Sequence, residues 1–340
     1  CATPCNKNTE LHRATPRKTQ SDTEKKTNNM KNPLSHLLLT TCHLLLLTLL
    51  LSPQNPKAQE WSNPVTIYSG NINRDADAVV DKNGHLHVVW AHMISNNYWK
   101  IFYSKSTDCG QTWTEPFDVV GNTELWMAGP KIACSKDNKL YITYDYNAVD
   151  PTNTHVCLKV YNQGIWSEPA FVSGEFAGSG FGKMAVDTSG LLYIFWSYLY
   201  IDAGTFLYRT YSDDSFGEIL NPYGGTIRYS IKKPIFDNNN RLHCQGWIKF
   251  NADRYGKLAY FSMNSGVWSN YTIISDSTVA GFDMDLDTSN NPHMVWWKVT
   301  SSGAPPDDGT FYSYFENRVW SAPVCLSTSS EFQVIAIDAR

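Results

Sequence analysis

The sequence predicts an all-β fold built from a repeated four-stranded unit of about fifty residues. Three observations carry this. Twelve Trp and 19 Tyr stand beside 21 Gly and 16 Pro in 340 residues, a balance that favours short strands and tight turns over long helices. One phrase, a polar turn followed by an alternating strand, recurs at nearly even spacing. A second phrase, centred on Trp, follows it roughly thirty residues later in most units.

The first phrase reads Asp81-Lys-Asn-Gly-His-Leu-His-Val-Val-Trp90, then begins again at Ser135, Asp187, Asp237 and Asp287, with Ile337-Asp338 as a sixth beginning. The starts are 54, 52, 50, 50 and 51 residues apart. Gly and Asn in its turn tolerate positive φ, which a tight hairpin needs. The second phrase is Trp113-Thr-Glu-Pro116, Trp166-Ser-Glu-Pro169, Trp268-Ser-Asn-Tyr271 and Trp320-Ser-Ala-Pro323, with Phe216 standing in the third unit. Between the two phrases lies a further alternating strand, such as Lys100 to Lys105 or Thr310 to Tyr314. Units of this kind are the blades of a β-propeller. Trp61-Ser-Asn-Pro64 repeats the second phrase ahead of the first full unit. Residues 61–70 are therefore expected to be the outer strand of the last blade in a six-bladed ring: five full blades and a truncated sixth across 61–340.

Within the first unit, Ser106, Asp108, Gly110, Thr112 and Trp113 spell Ser-x-Asp-x-Gly-x-Thr-Trp, and the chain resembles the sialidase-like (BNR, Asp-box) propellers on this motif and its repeat. The resemblance implies a sialidase-like fold, with Asp108 in a structural turn away from the active face. It also implies a carboxylate-binding Arg entering blade one, matched in register by Arg74, and a second entering blade four, matched by Arg228. Gly281 to Asp285 stand where a third would enter, and Met93 to Lys100, where the family keeps an acid/base Asp, hold no carboxylate.

Residues 1–29 are polar and Thr/Lys-rich and are read as lying outside the fold, as translated upstream sequence would. Residues 30–59, with Lys31, the apolar stretch Leu34 to Leu51 and Ala58, are read as a secretory signal peptide, giving a secreted or cell-surface protein with no stable membrane insertion after cleavage. Residues 1 to 29 carry six Lys/Arg against three Asp/Glu and residues 30 to 60 a further net +1, so the chain's formal charge of −4 conceals −8 on the rest. Nucleic acid is not an expected partner of so acidic a body. Five cysteines follow the signal segment, at spacings that match no metal or redox motif, so at most two disulfides are expected and no metal or cofactor.

Propeller first strands lie nearest the axis, and the residues entering them meet on one face. Four residues before each first phrase stand Asp77, Lys131, Lys183, Lys233 and Asp283, charged in all five units. With 18% charged residues, five such coincidences have a chance of roughly 2 in 10,000. The pattern predicts a charged channel mouth. It is suited either to an acidic glycan or to simple pairing and solvation of the channel. Asp77 and Asp283 are the candidate catalytic carboxylates, brought together across one side of the ring; Arg74, Lys131, Lys183, Arg228, Lys233 and Trp126 are the candidate substrate-binding residues. Phe181, Tyr223 and Tyr229 add aromatic faces that suit sugar stacking. His87, His243 and His293 recur at one position of the second strand and are read as scaffold, while His92 and His155, in loops, are freer. Loops 197–206 and 298–310, unlike in length, point to one asymmetric site. The function expected is cleavage of glycosidic bonds in acidic glycans by paired carboxylates. The alternatives are a polysaccharide lyase or a non-catalytic glycan-binding propeller.

Overall fold

The computed structural model describes residues 63–328 apart from 71, 96–97, 122–125, 148–151, 199–204, 225–227, 250–255 and 299–308. The leader segments 1–29 and 30–59, and the beginning of a sixth unit at Ile337-Asp338, lie outside the described residues, as do Trp61 and most of the two unequal loops. Among the described residues every regular element is a strand, and none is a helix long and apolar enough to cross a membrane.

Each unit runs antiparallel from its first strand outward. In blade one, Asn73–Val80 pairs with Leu86–Ser95, which pairs with Tyr98–Ser106, and Phe117–Asp118 closes the sheet. Blades two and three begin on Met127–Cys134 and Ser179–Val186 and follow the same order. Blade four opens on Arg228–Ile231 and Ile235–Phe236 beside Arg241–Lys249. The long strand Thr272–Leu286 closes blade four with its first half and opens blade five with its second. Asn63 to Gly70 carry no strand; Tyr68 instead packs on Trp90, His92 and Phe102 of blade one.

Four hydrophobic cores lie between successive blades, one for each neighbouring pair. The alternating strands make this possible, because each sheet presents an apolar row on both faces and both rows must be covered. The second phrase supplies the cover. Trp166 sits 5.4 Å from Tyr103 of blade one, Trp268 5.6 Å from Tyr208 of blade three, and Trp320 5.3 Å from Tyr260 of blade four, all edge to face.

The first phrase is held by its leading residue. Asp81, Asp187, Asp237 and Asp287 each accept two turn N–H groups on Oδ1, and the Ser135 hydroxyl accepts one, from Lys139. In blades one, four and five the same Asp also faces the repeat histidine, at 3.3 Å to His87, 3.3 Å to His243 and 3.4 Å to His293. The other ring nitrogen of each meets a third-strand hydroxyl, of Tyr103, Tyr260 and Tyr312. In His87 and His243 a neutral ring carrying its proton on Nε2 fits both contacts, since burial pushes the pKa of each down. Three copies of one network in three blades mark it as scaffold. Replacing His243 by Leu strands the buried Asp237 carboxylate and the Tyr260 hydroxyl, so unfolding stability should fall by about 1–3 kcal/mol in urea titrations.

The turn at Ser106 to Trp113 follows the chemistry its sequence announces. Ser106 Oγ donates to Asp108 Oδ1 at 2.8 Å and accepts the Gly110 N–H at 2.8 Å, while Asp108 accepts the Thr112 N–H at 2.8 Å. Hydrogen bonds from Thr112 and Ser106 hold the Asp108 carboxyl down to about 2. Cys109 and Gly110 both take positive φ, at 59° and 87°. All five described cysteines are free thiols: Cys157 and Cys244 buried, Cys134 half-buried, Cys109 and Cys325 exposed.

Candidate functional site where the first strands converge

From blade one to blade four each first strand touches the next, and residues entering the first strands of all five blades line one cavity. In blades one to three each of these strands carries a β-bulge just before its charged residue. Pairing jumps between Arg74 and Asp77, between Ala128 and Lys131, and between Gly180 and Lys183. The residue two before the charge has positive φ each time: Asp75 at 56°, Gly129 at 56° and Phe181 at 61°. Bulges of this kind re-aim side chains at sheet ends, and here they turn the repeat charge inward.

A cavity of about 920 Å³ opens there, and Asp77, Lys131, Lys183, Lys233 and Asp283 all line it, together with Arg74. The charges couple in pairs across blade boundaries. Lys131 reaches Asp77 at 3.9 Å, and Asp77 also accepts the Ile132 N–H at 3.0 Å. Lys233 reaches Asp283 at 3.5 Å. Pairs this open to water contribute little to stability, about 0–1 kcal/mol, so their consequence is placement. Asp77 and Asp283 thus share one cavity but face different lysines.

Lys183, between the two pairs, has no carboxylate within 4.0 Å among the described residues and donates to the Phe181 and Gly182 carbonyls at 3.4 and 3.3 Å. Burial and the charge of Lys131 push its ammonium down to about 8. Arg74 is held from behind, its guanidinium 4.1 Å from the Trp99 ring centroid and 5.2 Å from that of Trp126. Trp126 itself does not line the cavity; it stacks on Trp99 and joins the core between blades one and two, supporting Arg74 rather than offering a free face. Arg228 pairs through its backbone with Lys249, and its side chain, like that of Tyr229, lies outside the described residues. Tyr223 belongs to the core between blades three and four and donates to the Ser269 carbonyl. His92 and His155 are not free either: His92 meets Asn73 at 2.9 Å and His155 meets Ser173 at 3.2 Å, both with pKa lowered by burial.

Asp145, Lys232 and Phe282, which the repeat position does not mark, are among the other residues that line the cavity. Asp145, at the inner end of the second strand of blade two, is 7% exposed. Its Oδ2 accepts the Phe181 N–H at 3.0 Å, while Oδ1 is buried without a hydrogen-bond partner. Burial raises its carboxyl to about 6, against the opposing pull of the Phe181 N–H and of Lys183. Lys232 lies 4.4 Å over the Phe282 ring, with its pKa lowered by burial. Five cationic side chains therefore meet four carboxyl groups, Asp75 included, in the lining of a protein whose net charge is negative. Among the described residues no group of His, Cys, Asp and Glu is arranged to hold a metal ion.

No family model matches the chain, and no curated protein matches it in sequence. Its fold is that of propeller-type proteins. Among solved structures it is similar to an ulvan lyase of polysaccharide lyase family PL25 bound to -[GlcA(1-4)Rha3S]-, at TM-score 0.55 and 11% identity over 76% of this chain and 73% of that one. It is similar to the Penicillium chrysogenum alpha-L-arabinanase complexed with arabinobiose, at TM-score 0.53 and 13% identity over 73% and 84%. A Dyadobacter fermentans protein of unknown function matches at TM-score 0.52 and 10% identity over 76% and 84%. Identities this low carry the architecture, and the chemistry has to come from the cavity.

Proposed function

We propose that this is a glycan-active propeller of sialidase-like, six-bladed type, which binds an acidic polysaccharide at the converging first strands and cleaves its glycosidic bonds. The observation that carries the reading is the single cavity in which charged residues of all five blades meet, with more cations than carboxyl groups. Ammonium and guanidinium groups recognise uronate or sulfate, and the carboxylates supply proton transfer. Asp77 and Asp283 are the working pair. One gives a proton to the leaving glycosidic oxygen as the anomeric C–O bond breaks, and the other takes a proton from the water whose oxygen forms the new bond. The polysaccharide lyase and the arabinanase with the same architecture support a glycan as the partner. Residues 30–59 fit this as a signal peptide, since such polymers lie outside the cell.

A second reading, β-elimination at a uronate, is favoured by the lowering of Lys183 to about 8, which makes a neutral amine accessible as a base. There the amine would take the C5 proton, the C4–O bond would break with its electron pair and a proton going to the leaving oxygen, and a C4=C5 double bond would form, with no water consumed. The products separate the two. Incubation with polygalacturonate, alginate and ulvan should yield new reducing ends without ultraviolet absorbance under hydrolysis, and equal amounts of both under elimination. Tight binding with neither product would identify a non-catalytic module and remove the cleavage step.

A further inference from the structure

The repeat charges around the cavity are matched unevenly, and the place of the one without a carboxylate partner within 4.0 Å, Lys183, is built with more constraint than the others. Lys131 and Lys233 each have an aspartate from a neighbouring blade, whereas Lys183 turns its ammonium onto the carbonyls of its own bulge. Two residues earlier stands Phe181, 57% exposed beside the cavity and held at φ 61°. A bulky side chain enters that region of φ only when its surroundings impose it. Here two contacts with blade two do so. Asp145 accepts the Phe181 N–H, and Gly182 lies so close to blade two that a Cβ there would stand 2.9 Å from Val156 Cγ1. The corresponding residues of the other blades are Asp75, Gly129, Ile231 and Gly281, so only blade three puts an aromatic ring at this point.

We propose that the Phe181–Lys183 bulge is a subsite for one uronate residue of the polysaccharide, with the sugar face on the Phe181 ring, the carboxylate on Lys183, and Asp145 as the positioning residue that fixes both. The subsite rests on the acidic-polysaccharide reading of the cavity. The pairing of an apolar face with a cation one short step away matches a uronate, whose ring carries C–H groups on one face and a carboxylate at its rim. A neutral sugar would use only the ring. Sulfate on a neutral sugar would use only the ammonium. Asp145 contributes without touching the ligand: 7% exposed, it holds the strained backbone through one oxygen and keeps the other buried and unpaired. A buried carboxylate half-satisfied in this way is costly to the fold, and such costs persist where they serve a site. The lowered pKa of Lys183 fits an ammonium awaiting an anion, because an incoming carboxylate offsets the desolvation that lowers it.

The test is calorimetric titration of the full chain with hexasaccharides from polygalacturonate and alginate, and with their carboxyl-reduced neutral forms. Phe181→Ala should weaken charged and neutral ligands alike, on the order of tenfold. Lys183→Met should weaken only the charged ones, again on the order of tenfold. Asp145→Ala should weaken both and speed hydrogen exchange at the Phe181 amide, whereas Asp145→Asn, which keeps a carbonyl acceptor, should leave that amide protected. Melting curves confirm that each variant is folded. Wild-type binding left within twofold by both Phe181→Ala and Lys183→Met overturns the subsite while leaving the cavity reading intact. Absence of binding by the wild type to either acid overturns both. An unchanged Phe181 amide in Asp145→Ala removes Asp145 from its positioning role.

Discussion

With Asp77 or Asp283 replaced by Asn, kcat on the responsive acidic polysaccharide is expected to fall by about 10²- to 10⁴-fold, the range typical of losing a positioned acid or base. Affinity should change little, because Asn keeps the size of the side chain. KM in each variant should therefore stay within about threefold of wild type. The geometry also separates the two positions from their partners. Asp77 is fixed by the Ile132 N–H and by Lys131, and Asp283 by Lys233. Lys131→Gln and Lys233→Gln should each raise KM, since each removes a cation that lines the cavity and holds a neighbouring carboxylate in place. Wild-type turnover in both Asn variants would leave Asp77 and Asp283 as channel-lining ion pairs and take the working carboxylates out of the proposal.

What the sequence announces and what it conceals divide along the repeat. A residue type that recurs at one position of several blades reports on what every blade needs. The leading Asp of the first phrase, the His facing it and the Trp of the second phrase turned out to be a turn clamp, its network and an inter-blade cover. The five repeat charges were legible in the same way, because each blade must bring a first strand to the same place, and all five line one cavity. Pairwise arrangement was not legible. Nothing in the spacing says that Asp77 turns to Lys131 and Asp283 to Lys233, while Lys183, between them, turns onto the carbonyls of its own bulge. Trp126 shows the limit from the other side: an aromatic residue near a blade entrance looks like a sugar platform, but its ring packs on Trp99 and its contribution is to back Arg74. Asp145 was missed because it fits no repeat. A signal did exist, in departure from the repeat rather than conformity. Ten residues past the start of the first phrase the blades read Ala91, Asp145, Ser197, Trp247 and Trp297, with one charge in the column. One position before the repeat charge they read Ala76, Pro130, Gly182, Lys232 and Phe282, again with one charge. Both singular charges line the cavity.

Asp145→Asn should make the protein more stable above pH 6 while making it a poorer binder of acidic glycan. The carboxyl titrates near 3.8 in an unfolded chain and at about 6 in the fold, where burial disfavours the charge more than Lys183 and the Phe181 N–H favour it. Below pH 4 both states are protonated and the position costs nothing extra. Between 4 and 6 the unfolded chain ionises and the folded one does not, so stability falls as pH rises. Above 6 the difference is constant, and about two pKa units correspond to roughly 3 kcal/mol. Asn resembles the neutral acid and should recover about 2–3 kcal/mol of this at pH 7.5, and nothing at pH 3.5, in denaturant titrations at the two pH values. Asp75 adds to the effect, since its charge also opposes ionisation of Asp145. Binding should move the other way, because the variant no longer attracts the ammonium of Lys183 towards the bulge. A substitution that stabilises the fold and weakens the ligand is the mark of a group retained for the site. If Asp145→Asn instead lost stability equally at both pH values, the cost assigned to the charge of Asp145 would be wrong.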